Sequence, residues 1–257
     1  PYGIDMRFSN DPVRIVGSRL MLENFEMYAN NDNPLTIAGN IDFSNMDNLS
    51  MDVQMKAENY LIIDAKENVK SEAYGKAFIN LYATLKGQLS RLRMNGELSV
   101  LPATDVAYVL RDSPLSTDDH NRLEGLVEFV NMSDTTKTYA VSRPALTGFN
   151  MDLTLNVSSG ARIMCYLNAM HSNYVDLTGS GSLRMKYNPN DNLTLTGRYS
   201  LAGGNMKYSL PIIPLKTFTI KEGSYVEFSG DIMNPKLNIA ATETIKAQVG
   251  GETGISR

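Results

Sequence analysis

The sequence has very few of the residues that usually perform catalysis or hold a metal ion. Among its 257 residues there is one cysteine (Cys165), there are two histidines (His120 and His171), and there is no tryptophan. A single cysteine excludes an intramolecular disulfide and a cysteine-based zinc site. We therefore expect no metal and no other cofactor.

The chain also lacks a large excess of one charge and any long apolar run. Its 24 Lys and Arg against 28 Asp and Glu give a formal net charge of −4, which provides no basic face for nucleic acid. No apolar run approaches the roughly 20 residues that a helix needs to cross a bilayer, and no signal peptide opens the chain. The opening residues, Pro1 to Ile4, predict that this is a piece of a longer protein.

What the sequence does contain is a strong alternation of apolar and polar residues. Met51, Val53 and Met55 alternate with polar neighbours, and the same period of two recurs along most of the chain. This period is typical of strands with one apolar and one polar face. Clusters rich in Asn, Asp and Pro separate these runs and predict turns. The pattern predicts an all-β protein that forms a single domain over residues 1–257.

One segment interrupts the alternation, between Pro102 and about Asn121. Residues 104–110 predict a short helix with Thr104 as its N-cap. We interpret residues 102–148 as an insertion of loop and short helix on the β scaffold, not as a second domain.

The insertion also contains residue types that occur in hydrolase and metal sites, but without a diagnostic spacing. These residues are Ser116, Asp118, Asp119 and His120. A polar loop of this composition is usually only solvated. No other carboxylates form a recognisable acid–base pair, so the sequence predicts that the protein is not an enzyme.

A repeated strand template places glycine where a core side chain would normally lie. The template is apolar-x-apolar-x-Gly-x-apolar-x-apolar, with exact or shortened copies centred on Gly39, Gly96, Gly179, Gly197 and Gly230. A glycine within a strand costs about 0.5–1 kcal/mol relative to alanine, so these positions need an explanation. Two explanations stay open: the glycines permit a bulge or sharp bend, or they leave space on the apolar face.

Three other features have ordinary structural interpretations. His171 has no potential metal ligand nearby in sequence, which favours a turn residue. Cys165 alternates with Ile163 and Leu167, as a small buried apolar residue would. The 14 methionines are explained either by core packing or by an adaptable lining for apolar ligands.

The segment from Phe218 to Ala241 resembles the C-terminal region of the TamB family. TamB is the inner-membrane subunit of the translocation and assembly module, within the wider AsmA-like group. The shared pattern is Phe-x-Ile-x-x-Gly-x-apolar-x-Phe-x-Gly followed by Asn-Pro-x-Leu-x-apolar-x-Ala, and the segment follows it closely. Upstream strands, such as Leu193 to Leu201, also look similar.

The resemblance implies a β-taco: an elongated, strongly curved sheet folded lengthwise into a U-shaped apolar trough with a polar exterior. Family members are anchored in the inner membrane by an N-terminal helix and cross the periplasm. Their implied role is to move phospholipid through the trough, and the implied partners are phospholipid acyl chains. The resemblance places membrane contact, and contact with an outer-membrane barrel partner, in N- and C-terminal segments outside this sequence.

From the alternation and this resemblance we assign a lipid-binding lining and a set of trough-shaping glycines. The proposed lining comprises Ile37, Ile41, Phe43, Met51, Val53, Met55, Met151, Leu153, Leu155, Leu193, Leu195, Tyr199, Phe218, Ile220, Leu237 and Ile239. Gly39, Gly96, Gly179, Gly197 and Gly230 would shape the trough. Apolar side chains supply area without directional polar contacts, so we expect little selectivity among acyl chains.

Two other functions fit the same alternation. An assembly factor for outer-membrane β-barrel proteins would pair an exposed sheet edge with incoming strands. A structural or adhesive β domain would instead close its apolar face into a core. Alternation identifies the residues that share a face, but it leaves open whether that face is an open trough or a closed core.

Overall fold

The structure is a computed structural model that describes residues 4–10, 13–68, 72–110, 148–168, 170–189, 192–208, 216–232 and 234–243. It contains sixteen strands and one 3-10 turn at Leu89–Arg91. The strands are β1 (Arg7–Phe8), β2 (Arg14–Val16), β3 (Arg19–Tyr28), β4 (Pro34–Asp42), β5 (Ser50–Ala65), β6 (Ala73–Gln88), β7 (Arg93–Val100), β8 (Asp105–Val109), β9 (Asn150–Val157), β10 (Arg162–Tyr166), β11 (Tyr174–Asn188), β12 (Asn192–Tyr208), β13 (Lys216–Ile220), β14 (Tyr225–Asp231), β15 (Lys236–Asn238) and β16 (Ala241–Glu243).

All sixteen strands belong to one large curved sheet, which confirms the predicted all-β class. The main path through the sheet is β1-β3-β4-β5-β6-β7-β9-β11-β12-β13-β16. Most neighbours are antiparallel, and the pairs β7–β9 and β8–β10 are parallel. The architecture agrees with the β-taco that the sequence resemblance implied.

The sheet divides where long strands pair with two different short strands. The first residues of β6, Ala73–Lys76, pair with β8, whereas Ile79–Lys86 pair with β7. On the other side, β11 pairs with β10 through residues 174–178 and with β9 through residues 181–187. The space between β6 and β11 is therefore filled by β7 and β9 at one end and by β8 and β10 at the other.

The short helix expected at residues 104–110 is wrong, because Asp105–Val109 forms strand β8 between β6 and β10. Thr104 does not cap a helix: its hydroxyl accepts from the Phe78 backbone N–H at 3.0 Å and donates to the Phe78 carbonyl at 3.2 Å. Val106 and Val109 suit a strand, and pairing on both sides outweighs the local preference. The rest of the predicted insertion, including Ser116, Asp118, Asp119 and His120, lies largely within 111–147, outside the described residues.

A β-bulge keeps the apolar face continuous across the division of the sheet. In the β11–β12 ladder Gly179 is opposite Leu201 and Thr178 is opposite Gly203, so Ala202 is an extra residue on β12. An extra residue reverses the alternation beyond it. Met206 therefore shares a face with Leu201, although their numbers differ in parity.

The structure contains two clusters of buried apolar residues. One cluster is Val157, Ala161, Tyr199, Leu201, Ile220 and Val226. The other is Ala29, Ala57, Tyr60, Leu61 and Ile79. The clusters close part of the apolar face with the protein's own side chains.

Candidate functional site

The candidate site is the apolar face of the sheet. One row of register partners runs across this face, perpendicular to the strands, and contains one residue from each of nine strands. Successive register partners in this row, called the central row below, are Phe25, Ile37, Met55, Ala83, Gly96, Leu153, Met185, Leu195 and Gly230. Every member is apolar or glycine. Because register partners in a sheet point to the same side, these residues form one continuous apolar band.

The adjacent row, displaced by one residue, lies on the opposite face and is almost entirely polar. Its members are Glu26, Thr36, Lys56, Tyr82, Glu97, Thr154, Arg184, Thr196 and Ser229. Ion pairs join neighbouring strands on this side, such as Arg184 with Asp152 at 2.7 Å and Lys86 with Asp52 at 3.1 Å. The sheet is therefore amphipathic across these nine strands.

The structure brings most of the predicted lining residues together on the apolar face. The register places eleven of them on the nine-strand band: Ile37, Ile41, Met51, Val53, Met55, Met151, Leu153, Leu155, Leu193, Leu195 and Tyr199. Phe218 and Ile220 join the same face beyond the division, opposite Met206 and Gly204.

The remaining three predicted lining residues lie at the margins of the sheet. Phe43 follows the last residue of β4. Leu237 on β15 pairs with Val226 and is 60% exposed, and Ile239 follows β15 and is 38% exposed. These positions border the apolar band instead of occupying its centre.

Burial differs strongly from one part of the apolar face to another. Val53 and Leu153 are buried at 3% exposure, whereas Met51, Met55 and Met151 are only half-buried. In β4 all nine residues are half-buried, on both faces. A closed sandwich would bury one side of such a strand fully. The β4–β5 part of the apolar face thus keeps area accessible to a ligand.

The five glycines do not share one role. The Cβ of an alanine would lie 2.1 Å from a backbone oxygen at Gly39, 2.2 Å at Gly96, 2.3 Å at Gly179 and 2.9 Å at Gly197. At these four positions glycine permits close approach of the neighbouring strand. At Gly230 a Cβ would meet nothing within 4 Å, so open space lies beside Leu195, its register partner.

Sequence reasoning omitted several residues of the face. Met94 and Met185 belong to it by register, as do Ala83, Leu183 and Phe228. Met94 lies directly opposite Met151. The same alternation that identified the other residues was the available signal. Clustered methionines give the face a lining that can change shape.

Two polar atoms are buried on this side without a partner among the described residues: the hydroxyls of Tyr60 and Tyr199. Burial raises the pKa of both phenols, so both stay protonated. The Tyr199 ring also lies against Gly179, with its Cζ 3.0 Å from the position of a Cβ there.

The described residues contain no cluster of metal-ligating side chains. No group of three or more His, Cys, Asp or Glu among them could hold a metal ion. His171 lies in the β10–β11 connection with φ of 57°, as a turn residue, and stacks on Tyr166 at 4.0 Å between ring centroids. Cys165 is half-buried in β10, and burial raises the pKa of its thiol.

The described part of the chain also contains no helix long and apolar enough to cross a membrane. A large curved sheet with one apolar and one polar face defines the class: an amphipathic all-β protein. The model of the TamB C-terminal domain matches residues 23–256. The chain belongs to the TamB family, a non-enzymatic module of the cell envelope associated with outer-membrane protein assembly and lipid transport. Searches of curated proteins and of solved structures gave no match.

Proposed function

We propose that this chain is part of a periplasmic bridge that holds phospholipid acyl chains against its apolar face during transport from the inner to the outer membrane. In the full-length protein the bridge is anchored in the inner membrane. The observation that supports this proposal is the central row, apolar or glycine on nine consecutive strands. Such a band offers a path for acyl chains that no charged side chain interrupts.

The size of the hydrophobic effect makes this role energetically reasonable. Each methylene removed from water contributes about 0.8 kcal/mol, so ten methylenes on the face contribute about 8 kcal/mol. That contribution offsets much of the free energy needed to withdraw an acyl chain from a bilayer. Since all acyl chains offer methylenes, the face would accept many phospholipids.

The distribution of charge supports the same role. The ion pairs of Arg184 with Asp152 and of Arg198 with Glu227 lie on the polar side of the sheet. An acyl chain on the apolar side therefore desolvates no charged group, which would be costly. A bound lipid adds apolar contacts without disturbing the polar surface.

Assembly of outer-membrane β-barrel proteins is the second candidate, and the sheet edges favour it. Among the described residues, β2 pairs only with β3, and β16 pairs only with β13. All residues of both strands are exposed. Such edges can accept an additional strand from another protein.

The test compares two substitutions at adjacent positions of β5. Met55→Asp places a charge on the half-buried apolar face, and Gln54→Asp places the same charge on the exposed polar face. The chain and both variants are purified from periplasm without detergent. Lipid is then extracted and counted per protein by mass spectrometry, and circular dichroism verifies folding.

We expect phospholipid in the unmodified chain and in Gln54→Asp, and a large loss in Met55→Asp. Acyl chains would have to desolvate the new carboxylate in Met55→Asp only. Absence of lipid from the folded, unmodified protein would contradict the bridge. Capture of barrel-protein peptides without lipid would support the assembly function.

A further inference from the structure

Two tyrosines lie at the same level of the apolar face. A second row of register partners, called the tyrosine row below, consists of Tyr60, Ile79, Val100, Val157, Gly181 and Tyr199. On β6 to β12 this row is four residues away from the central row, a distance of about 13 Å along the strands. Tyr60 on β5 and Tyr199 on β12 are each two strands away from the parallel pair β7–β9. The two hydroxyls are the only polar side-chain groups in the row.

Each tyrosine belongs to one of the two buried clusters and supplies its only polar side-chain group. Tyr60 is 5% exposed and Tyr199 is 6% exposed, and the other buried members of both clusters are Ala, Val, Leu or Ile. Neither hydroxyl has a hydrogen-bond partner among the described residues. Phenylalanine would fill the same space without burying a polar group, so packing alone does not explain the two hydroxyls.

Two glycines of β11 make room for Tyr199. The Cζ of its ring is 3.0 Å from the position that a Cβ on Gly179 would occupy. A Cβ on Gly181, its register partner, would lie 3.0 Å from its Cα. A larger residue at either position would displace the tyrosine. Burial raises the pKa of both phenols, so each stays protonated and is a hydrogen-bond donor in apolar surroundings.

The side chains that pack against the two clusters are themselves partly accessible. Met206 and Phe228 pack against the cluster of Tyr199, and Leu35 and Leu81 pack against the cluster of Tyr60. All four side chains are half-buried, and methionine adapts its shape readily. Rotation of these side chains would bring a ligand on the apolar face within reach of the hydroxyls.

We infer that Tyr60 and Tyr199 each donate a hydrogen bond to an ester carbonyl oxygen of a phospholipid whose acyl chains lie on the apolar face. The inference rests on the proposed function and adds to it the polar group of the lipid that the face recognises. The ester carbonyl is a neutral acceptor joined directly to the acyl chain, so it enters apolar surroundings at a much lower free-energy cost than a charged phosphate. Both the carbonyl and the buried hydroxyl gain a partner from this hydrogen bond.

The test uses two phosphatidylcholines with chains of equal length, one with ester links and one with ether links, which lack the carbonyl oxygens. Each lipid is offered in nonionic detergent micelles to the lipid-free unmodified chain, to Tyr60→Phe/Tyr199→Phe and to Tyr82→Phe. Tyr82 is the control, because it loses the same hydroxyl on the polar face, where it is 60% exposed. Retained lipid is counted by mass spectrometry, and urea unfolding of the lipid-free proteins measures their stability.

We expect the unmodified chain and Tyr82→Phe to retain the ester lipid about fivefold better than the ether lipid, which is the effect of one neutral hydrogen bond. The double variant should lose this preference, still retain the ether lipid, and unfold at an unchanged or higher urea concentration, since it buries no unpartnered hydroxyl. Equal retention of both lipids by the unmodified chain would overturn the inference alone. A double variant that keeps the preference and unfolds at lower urea would also overturn it, because the hydroxyls would then stabilise the fold itself. Retention of neither lipid by the unmodified chain would overturn the proposed function and the inference together.

Discussion

Gly96 and Ala83 lie directly opposite each other in the β6–β7 ladder, and a Cβ on Gly96 would lie 2.8 Å from the Cβ of Ala83. The same Cβ would lie 2.2 Å from the Tyr82 carbonyl oxygen. No backbone atom can move away without breaking the ladder. Two small residues therefore let β6 and β7 approach closely in the middle of the apolar face, where the sheet curves.

Gly96→Ala is expected to lower the free energy of unfolding by about 1–3 kcal/mol, since overpacking a tight site forces the strands apart. Gly203→Ala is the matched control, because a Cβ at that glycine of β12 meets nothing within 4 Å and its φ is ordinary. There the alanine should leave the free energy of unfolding unchanged or raise it by about 0.4–1 kcal/mol, because alanine reduces the conformational entropy of the unfolded chain. Urea unfolding measures both, and equal effects would disprove the close approach.

Thr104→Val is expected to destabilise the fold by about 1–3 kcal/mol, because the Phe78 N–H and carbonyl lose a partner within the sheet. Thr104 is 3% exposed, so water does not replace the hydroxyl. Thr104→Ser keeps the hydroxyl and should retain most of the stability. If the valine and serine variants unfolded at the same denaturant concentration, these hydrogen bonds would not stabilise the start of β8.

The carboxyl of Asp42 should titrate at low pH, with a pKa of about 2 instead of its ordinary 3.8. The largest cause is a side-chain hydrogen bond from Ser44, followed by the Ser44 backbone N–H at 2.9 Å and the Arg19 guanidinium at 2.9 Å. Because folding lowers this pKa, the contribution to stability is present above pH 3.8 and is lost as pH falls through 2. NMR titration should show Ser44→Ala raising the pKa, and an unchanged pKa would exclude the serine as the cause.

The sequence predicted the apolar face well, because strand alternation is a local property. Ile37, Met55 and Leu153 were assigned to one face from the alternation and the family resemblance, and the register places them in one transverse row. The lipid that this face is proposed to hold stays a prediction. Met94 and Met185 could have been assigned in the same way, since each alternates with polar neighbours.

Strand β8 could not be predicted from the local sequence pattern. Residues 104–110 lack a clean alternation, and a threonine before them suggested a helix cap. In the structure β8 is held by β6, about 30 residues earlier in the chain, and by β10, more than 50 residues later. Those hydrogen bonds are set by the arrangement of the whole sheet, and no local spacing encodes them.

The sequence by itself determined that the protein is all-β, that its strands have one apolar face, and that the chain resembles the TamB family. These features follow from a period of two and from a motif, both readable along the chain. Only the tertiary structure decided which strands are neighbours, and which glycines adjoin backbone and which adjoins open space. Register and side-chain pairing join residues far apart in sequence, so they exist only once the sheet has formed.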